Sequence, residues 1–281
     1  MRSSDVYRPP TKGMGRGFLW FVVVTNALLG SGLLVLAVGM LVGPAEDRSW
    51  SVAAIVGVAV AATGWIAFGA VGFHRMYLYR APADGRRVAL ETVDGSPAVV
   101  LHWRRTFLVQ PFVTYAFLSV LAGIGCVALY RDGSSGWWIL LVVVVPFVLV
   151  LPDKLIQLSR HARLVMTPTG IGADGWDGSA WLDWDDVRGV VATQVNQWTV
   201  IRTYGEPVSP SWRWKRRPRV LFAHQPPLPF VDLPGPAMDV DVRHFIDAVQ
   251  LYARTPTLRG ELAGEAGRQR LVAPSAATTR P

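Results

Sequence analysis

The stretch FLWFVVVTNALLGSGLLVLAVGMLV, residues 18–42, contains no charged side chain. A helix needs about 20 apolar residues to cross the ~30 Å hydrocarbon core of a bilayer, and this run exceeds that length. A secretory signal peptide has a shorter apolar region, about 7–15 residues, followed by a small-residue cleavage site. The run shows neither property, so we predict a retained membrane-spanning helix.

Three further apolar runs follow, and we predict that each of them also crosses the membrane. They lie at residues 50–73, 107–130 and 136–152. The composition agrees, because 51% of the residues are apolar and only 17% are charged. Water-soluble helices require a polar face, whereas helices in lipid do not. The sequence therefore predicts an integral membrane protein with a four-helix transmembrane domain over residues 18–152.

Arginine and lysine are concentrated in two segments that flank these runs. The tail of residues 1–17 carries four cations and the loop of residues 74–106 carries six arginines, whereas the two short loops carry one arginine each. By the positive-inside rule the two basic segments are cytoplasmic. Four spans return the C-terminus to the same face. We therefore predict a multi-pass protein of a bacterial cell membrane, with both termini cytoplasmic.

The predicted spans contain no Asp, Glu, Lys, Arg or His. Buried ionisable groups are costly in a membrane and mark ion or proton pathways where they occur. Their absence from the spans weighs against a proton-coupled transporter. Polar residues such as Asn26 and Gln110 remain, so a small transporter or channel, formed by the four spans and possible as an oligomer, is the alternative function.

The cytoplasmic loop contains a predicted β-hairpin. Residues 87–93 and 98–103 are two β-type runs separated by Asp94-Gly95-Ser96-Pro97. Asp-Gly between β-branched runs is a strong hairpin signal. Because an isolated two-stranded hairpin is marginal in water, we predict that this one packs against the C-terminal domain.

Beyond the fourth span the hydrophobic pattern changes to short strands. Residues 153–159 continue the fourth helix into the cytoplasm, and short strands follow from residue 162. A final amphipathic helix covers about residues 240–253, with Asp239 or Asp241 as its cap. We predict an α+β protein whose cytoplasmic domain, residues 153–258, is a small β-sandwich or barrel closed by a C-terminal helix. Residues 259–281 lack periodicity and are predicted to form a disordered tail.

Three segments of this domain resemble a bacterial pleckstrin-homology-like (PH-like) domain. They are RLVMTPTGI at residues 163–171, LDWDDV at residues 182–187, and the final helix. The segment ARTPTLRGEL, residues 253–262, resembles the ends of actinobacterial multispan membrane proteins that carry such a domain. The resemblance covers about residues 160–262, and the stretch between Val195 and Arg219 departs from it. It implies a fold and a binding role, with no catalytic residues.

No motif in the sequence indicates catalysis or a cofactor. Asp183, Asp185 and Asp186 form a carboxylate cluster, but they lack the further oxygen ligands and the glycine of a calcium loop. The five histidines are scattered, and no nucleophile-elbow, Walker or dinucleotide glycine pattern occurs. We therefore expect a non-enzymatic protein without a cofactor or a metal ion.

The most distinctive segment is SWRWKRRPR, residues 211–219, which we predict to be a loop. Its candidate membrane-contact residues are Trp212, Arg213, Trp214, Lys215, Arg216, Arg217 and Arg219. Aromatic rings favour the headgroup region and cations bind phosphates, so this composition suits an anionic membrane surface. The alternative is a solvated basic loop whose tryptophans pack on their own domain.

The expected partners follow from the position of this domain next to the bilayer. We expect the domain to bind an anionic phospholipid headgroup or an unidentified membrane or cytoplasmic protein, in a scaffold or accessory role. Nucleic acid is not an expected partner, because the basic segment belongs to a domain that is held at the membrane.

Overall fold

The computed structural model describes residues 14–42, 52–73, 85–131, 133–176, 178–195, 198–217 and 229–272. These residues divide into two compact units. One unit contains helix α1 (Met14–Val42) and helix α2 (Val52–Phe73). The other contains nearly all described residues from 85 onward.

Helices α1 and α2 pack against each other through small residues. The backbone of Gly30 on α1 lies so close to Ile66 on α2 that a Cβ at residue 30 would collide with the isoleucine side chain. Small residues of this kind let helices in lipid approach closely. Away from this contact, large apolar side chains such as Leu28 and Val35 are about 70% exposed (68% and 71%), as expected of a lipid-facing surface.

The second unit contains a hairpin of two long helices, α3 (Thr106–Arg131) and α4 (Trp137–Ser159). Aromatic pairs join them at two levels, Tyr115 with Phe147 and Tyr130 with Trp137, each with ring centroids 5.9 Å apart. The prediction that the fourth helix continues past residue 152 is confirmed. Its 23 residues give α4 a length of about 34 Å, enough to cross a hydrocarbon core.

Three of the described helices contain segments that are long and apolar enough to cross a membrane. These segments are Val23–Val42, Phe112–Arg131 and Trp137–Ser159. In α2 the apolar segment, Ile55–Val71, is shorter. The structure therefore supports a membrane protein of mixed helix and sheet, with three candidate spans among the described residues.

Nine described strands form two sheets in the second unit. The strands are β1 (Val88–Val93), β2 (Ser96–His102), β3 (Arg163–Met166), β4 (Gly170–Asp174), β5 (Gly178–Asp183), β6 (Val187–Val195), β7 (Trp198–Gly205), β8 (Arg213–Arg216) and β9 (Phe230–Pro234). Six of them form an antiparallel sheet in the order β1-β2-β3-β4-β5-β8, and the other three form a sheet in the order β6-β7-β9.

The predicted hairpin and its packing against the C-terminal domain are both confirmed. Asp94 and Gly95 form its two-residue turn with φ values of 50° and 79°, which suits an Asp-Gly pair. Strand β2 then pairs with β3, so that Leu101 lies opposite Leu164. The loop between the second and third predicted spans thus supplies two strands of the main sheet.

The six-stranded sheet carries buried apolar side chains on both faces. Leu101, Leu164, Ile171 and Leu182 lie on one face, and each is at most 1% exposed. The other face carries a smaller buried cluster of Ala98, Val100 and Val165. Helix α5 (Val242–Arg254) contributes buried residues at the predicted helical spacing, which are Val242, Phe245, Ala248, Val249 and Tyr252. The cap of α5 is Asp241, whose carboxylate accepts hydrogen bonds from the backbone N–H groups of residues 243 and 244.

The closed barrel, one of the two predicted arrangements, is not seen in the described residues. There the strands form a six-stranded and a three-stranded sheet, and neither sheet closes on itself. The three-stranded sheet is held by cross-strand pairs such as Arg202 on β7 and Asp232 on β9, which form two hydrogen bonds of 2.8 Å. Arg202 also lies 3.7 Å above the ring of Phe230.

The prediction of a disordered tail from residue 259 is wrong up to residue 272. Residues Pro256–Ala263 form a 3-10 helix, and residues Glu265–Val272 form helix α6. Leu262 and Leu271 are buried, and Arg270 forms two 2.8 Å hydrogen bonds with Glu261. The sequence shows no clear amphipathic pattern here, because α6 has only eight residues, half of them charged or amide side chains, and Leu271 is its one buried large apolar residue. Residues 273–281 of the predicted tail lie outside the described residues.

Candidate membrane-contact surface

The basic segment is a strand at the edge of the main sheet, and the prediction of a loop is wrong here. Residues Arg213–Arg216 form β8 and pair with β5, with Arg216 opposite Gly178 and Trp214 opposite Ala180. Continuous polar and aromatic residues gave no alternating apolar pattern from which a strand could be recognised. Arg219 lies outside the described residues.

The tryptophans of this segment are half-buried. The indole of Trp214 covers Gly178, where an added Cβ would lie only 3.0 Å from Nε1. Trp212 donates its backbone N–H to the carbonyl of Ser209 at 3.3 Å. Trp214 therefore packs on its own domain and fastens β8 to β5, as the alternative interpretation of this segment expected.

Two helices and two neighbouring strands are joined by short connections. Residues 103–105 join β2 to α3, and residues 160–162 join α4 to β3. The connections are themselves bonded, since Trp103 N–H donates to the carbonyl of Ala162 at 2.9 Å. His102 and Arg163 are paired across β2 and β3, so the strand ends that they occupy both lie beside the helices. We call this the helix-proximal end of the sheet.

The strand register extends the helix-proximal end across the sheet to β8. A row of paired residues, one on each of four strands, runs through Arg163, Asp174, Ser179 and Lys215. Lys215 and the following Arg216 therefore belong to this end. Arg213 lies three residues from Arg216, which is about 10 Å along an extended strand.

A series of polar side-chain contacts crosses the sheet at this end. His102 Nε2 lies 2.6 Å from Glu91 Oε1, and Glu91 Oε2 lies 3.2 Å from Arg163 Nη1. Arg163 Nε in turn lies 3.5 Å from Asp174 Oδ2, and the other oxygen of Asp174 forms an ion pair with Arg217. Arg217 is thus neutralised within the domain. The side chains of Arg213, Lys215 and Arg216 on β8 are exposed.

A carboxylate holds the loop that leads into β8. Asp186 accepts hydrogen bonds from the hydroxyls of Ser209, at 2.6 Å, and Ser211, and from the backbone N–H of Ser211, at 3.2 Å. The hydroxyl of Ser209, followed by that of Ser211, lowers the pKa of Asp186 below the ordinary value of an aspartate. This arrangement fixes the start of β8 relative to the end of β5.

The three aspartates of the sequence cluster have separate partners. Asp183 accepts from Trp181 Nε1 at 2.7 Å, Asp185 pairs with Arg259 at 2.7 Å, and Asp186 binds the serines described above. Within the described part of the chain, no group of three His, Cys, Asp or Glu side chains is arranged to hold a metal ion.

Arg259 has a structural role that sequence reasoning missed. Its guanidinium donates to the carbonyls of Tyr252 and Ala253 at 2.9 and 3.3 Å, and so caps the C-terminal end of α5. A cation at this position also interacts favourably with the helix dipole. The sequence signal for this cap is a basic residue shortly after the end of a helix.

Comparisons with known proteins identify no relative. No protein-family model, no curated protein and no solved structure matches the chain.

Proposed function

We propose that this chain is a non-enzymatic, multi-pass membrane protein whose cytoplasmic PH-like domain binds anionic lipid headgroups through the helix-proximal part of β8. In this proposal α1 to α4 all cross the membrane, and the arginine-rich segments lie on the cytoplasmic side. The observation that carries the proposal is the strand register, which links Lys215 and Arg216 to the strand ends beside α3 and α4.

Helix geometry supports headgroup contact at this end of the sheet. The last residue of the uncharged run on α4 is Pro152, and the helix continues to Ser159. Those seven residues rise about 10 Å, whereas the headgroup layer of one leaflet is about 5–7 Å thick. The strand ends that follow therefore begin near the outer boundary of the headgroups, within reach of long cationic side chains.

The distribution of charge assigns unequal roles to the candidate residues. A cation at an anionic membrane surface contributes about 1 kcal/mol, and its effect declines within a Debye length of about 8–10 Å. Arg213 lies two residues, about 7 Å, farther from the helix-proximal end than Lys215, and Arg217 is neutralised by Asp174. Lys215, which is exposed at that end, is therefore the main contributor. The domain is tethered, so even a contact of about 1 kcal/mol is well populated.

The proposal is tested on the full-length protein. The protein is reconstituted in nanodiscs of equimolar phosphatidylglycerol and phosphatidylcholine and extracted in mild detergent, and native mass spectrometry counts the retained lipids. Lys215→Gln should lower the retention of phosphatidylglycerol about fivefold, the equivalent of about 1 kcal/mol, and leave phosphatidylcholine unchanged.

Arg213→Gln is the matched control for this variant. It removes the same charge from the same exposed face of the same strand, but farther from the helix-proximal end. We expect it to have a clearly smaller effect on phosphatidylglycerol. Equal effects of the two variants, or no effect of either, would contradict the proposal, and in the latter case the domain would bind a protein instead.

A further inference from the structure

We infer that Asp174 is an internal counter-ion that occupies the position of a headgroup phosphate between Arg163 and Arg217, and that it thereby limits the affinity of the domain for anionic lipid. This inference rests on the proposed function. It goes beyond it by naming a second, latent phosphate-binding position and the residue that keeps it closed.

The geometry is that of two guanidinium groups converging on one carboxylate. Arg163 Nε faces one oxygen of Asp174 at 3.5 Å, and Arg217 pairs with the other oxygen. A planar guanidinium binds phosphate and carboxylate oxygens in the same way. All three side chains are about 30% exposed, so the site opens to solvent beside Lys215.

The charges in this part of the sheet show that Asp174 neutralises a neighbouring guanidinium. Glu91 and Asp174 together balance Arg163 and Arg217, so the four side chains carry no net charge. Arg163 keeps a second partner in Glu91, whereas Asp174 is the carboxylate that faces Arg217 among the described residues. The Nε of Arg217 is buried without a hydrogen-bond partner in the described structure, so this guanidinium retains unused donor capacity.

The test is Asp174→Asn in the nanodisc assay with phosphatidylglycerol and phosphatidylcholine. The amide preserves the shape of the side chain and removes its charge. One uncompensated guanidinium then faces the headgroups, and retention of phosphatidylglycerol should rise about fivefold, the contribution of one surface cation. Unchanged or reduced retention in a variant with the thermal unfolding midpoint of the wild type would overturn the inference.

Arg217→Gln provides a second readout that does not depend on the stability of the aspartate variant. Its removal gives the four side chains one net negative charge, so phosphatidylglycerol retention should fall, and unchanged retention would contradict the counter-ion. In the Asp174→Asn background the same change restores the charge balance and should return retention to the wild-type level. A double variant that keeps the gain of Asp174→Asn, or that stays clearly below the wild type, would overturn the inference.

The two proposals fail in different ways. If Lys215→Gln does not lower phosphatidylglycerol retention, the proposed function is wrong, whatever the result for Asp174→Asn. If Lys215→Gln lowers retention but Asp174→Asn does not raise it, the proposed function stands and only the counter-ion role of Asp174 is wrong.

Discussion

At the scale of single residues, Asp186 fixes the loop that leads into β8. Three hydrogen bonds converge on its carboxylate from Ser209 and Ser211. Hydrogen bonds to a charged group contribute about 1.5–3 kcal/mol, and partial exposure reduces that value here. We expect Asp186→Ala to destabilise the domain by about 1–2 kcal/mol and to speed backbone hydrogen exchange at residues 206–212.

Asp185→Ala is the control, because that neighbouring carboxylate is 83% exposed and forms a surface ion pair of small value. The pKa of Asp186 is lowered in the folded state, so its stabilising contribution is present above the ordinary aspartate pKa. It is lost as the pH falls through the lowered pKa. The difference in stability between wild type and Asp186→Ala should therefore vanish at strongly acidic pH, and a difference that persists there would contradict this assignment.

Arg259 gives a second prediction at this scale. Its side chain is only 12% exposed and caps the carbonyls at the end of α5. We expect Arg259→Ala to lower the free energy of unfolding by about 1–2 kcal/mol, measured by denaturant titration of the detergent-solubilised protein. Arg254→Ala, an exposed change in the last turn of the same helix, should cost clearly less. If the two variants lose the same free energy of unfolding, Arg259 does not stabilise the protein by capping α5.

At the scale of elements, the β1–β2 hairpin is part of the C-terminal domain. A fragment of residues 160–258 lacks β1, β2 and α6, and it exposes the edge of β3 that β2 covers. An uncovered apolar edge strand promotes aggregation. We expect this fragment to aggregate, and a chain that links residues 85–103 to residues 161–272 to be monomeric by light scattering. A soluble, folded fragment of residues 160–258 would contradict this view.

The sequence predicted the elements that have a turn motif or a regular spacing of buried apolar residues. The Asp94-Gly95 turn predicted the hairpin, and the marginal stability of a lone hairpin predicted its docking. The apolar stripe of α5 predicted its buried face. Strand β8 gave no such signal, because its side chains are charged or aromatic at every position and its register is set by β5. The ion pair between Asp174 and Arg217 joins residues 43 positions apart, which sequence spacing alone does not reveal.

At the scale of the whole molecule, topology follows from the distribution of arginine. We expect reporter fusions at residues 45 and 133 to give extracytoplasmic signals. A fusion at residue 95, in the turn of the β1–β2 hairpin, should give a cytoplasmic signal. A cytoplasmic signal at residue 133 would reverse the proposed orientation of α3 and α4.

Headgroup contact by β8 is tested by measuring the depth of the two ends of β5 and β8 relative to the bilayer. In a Cys126→Ala background, a fluorophore is attached to a cysteine at Ser179, which pairs with Lys215 at the helix-proximal end, or at Val208, in the loop before β8 at the opposite end. Nanodiscs carry a nitroxide quencher on the lipid headgroup. We expect strong quenching at residue 179, greater in anionic than in neutral nanodiscs, and weak quenching at residue 208 in both. Equal quenching at the two positions, or stronger quenching at residue 208, would contradict headgroup contact by β8.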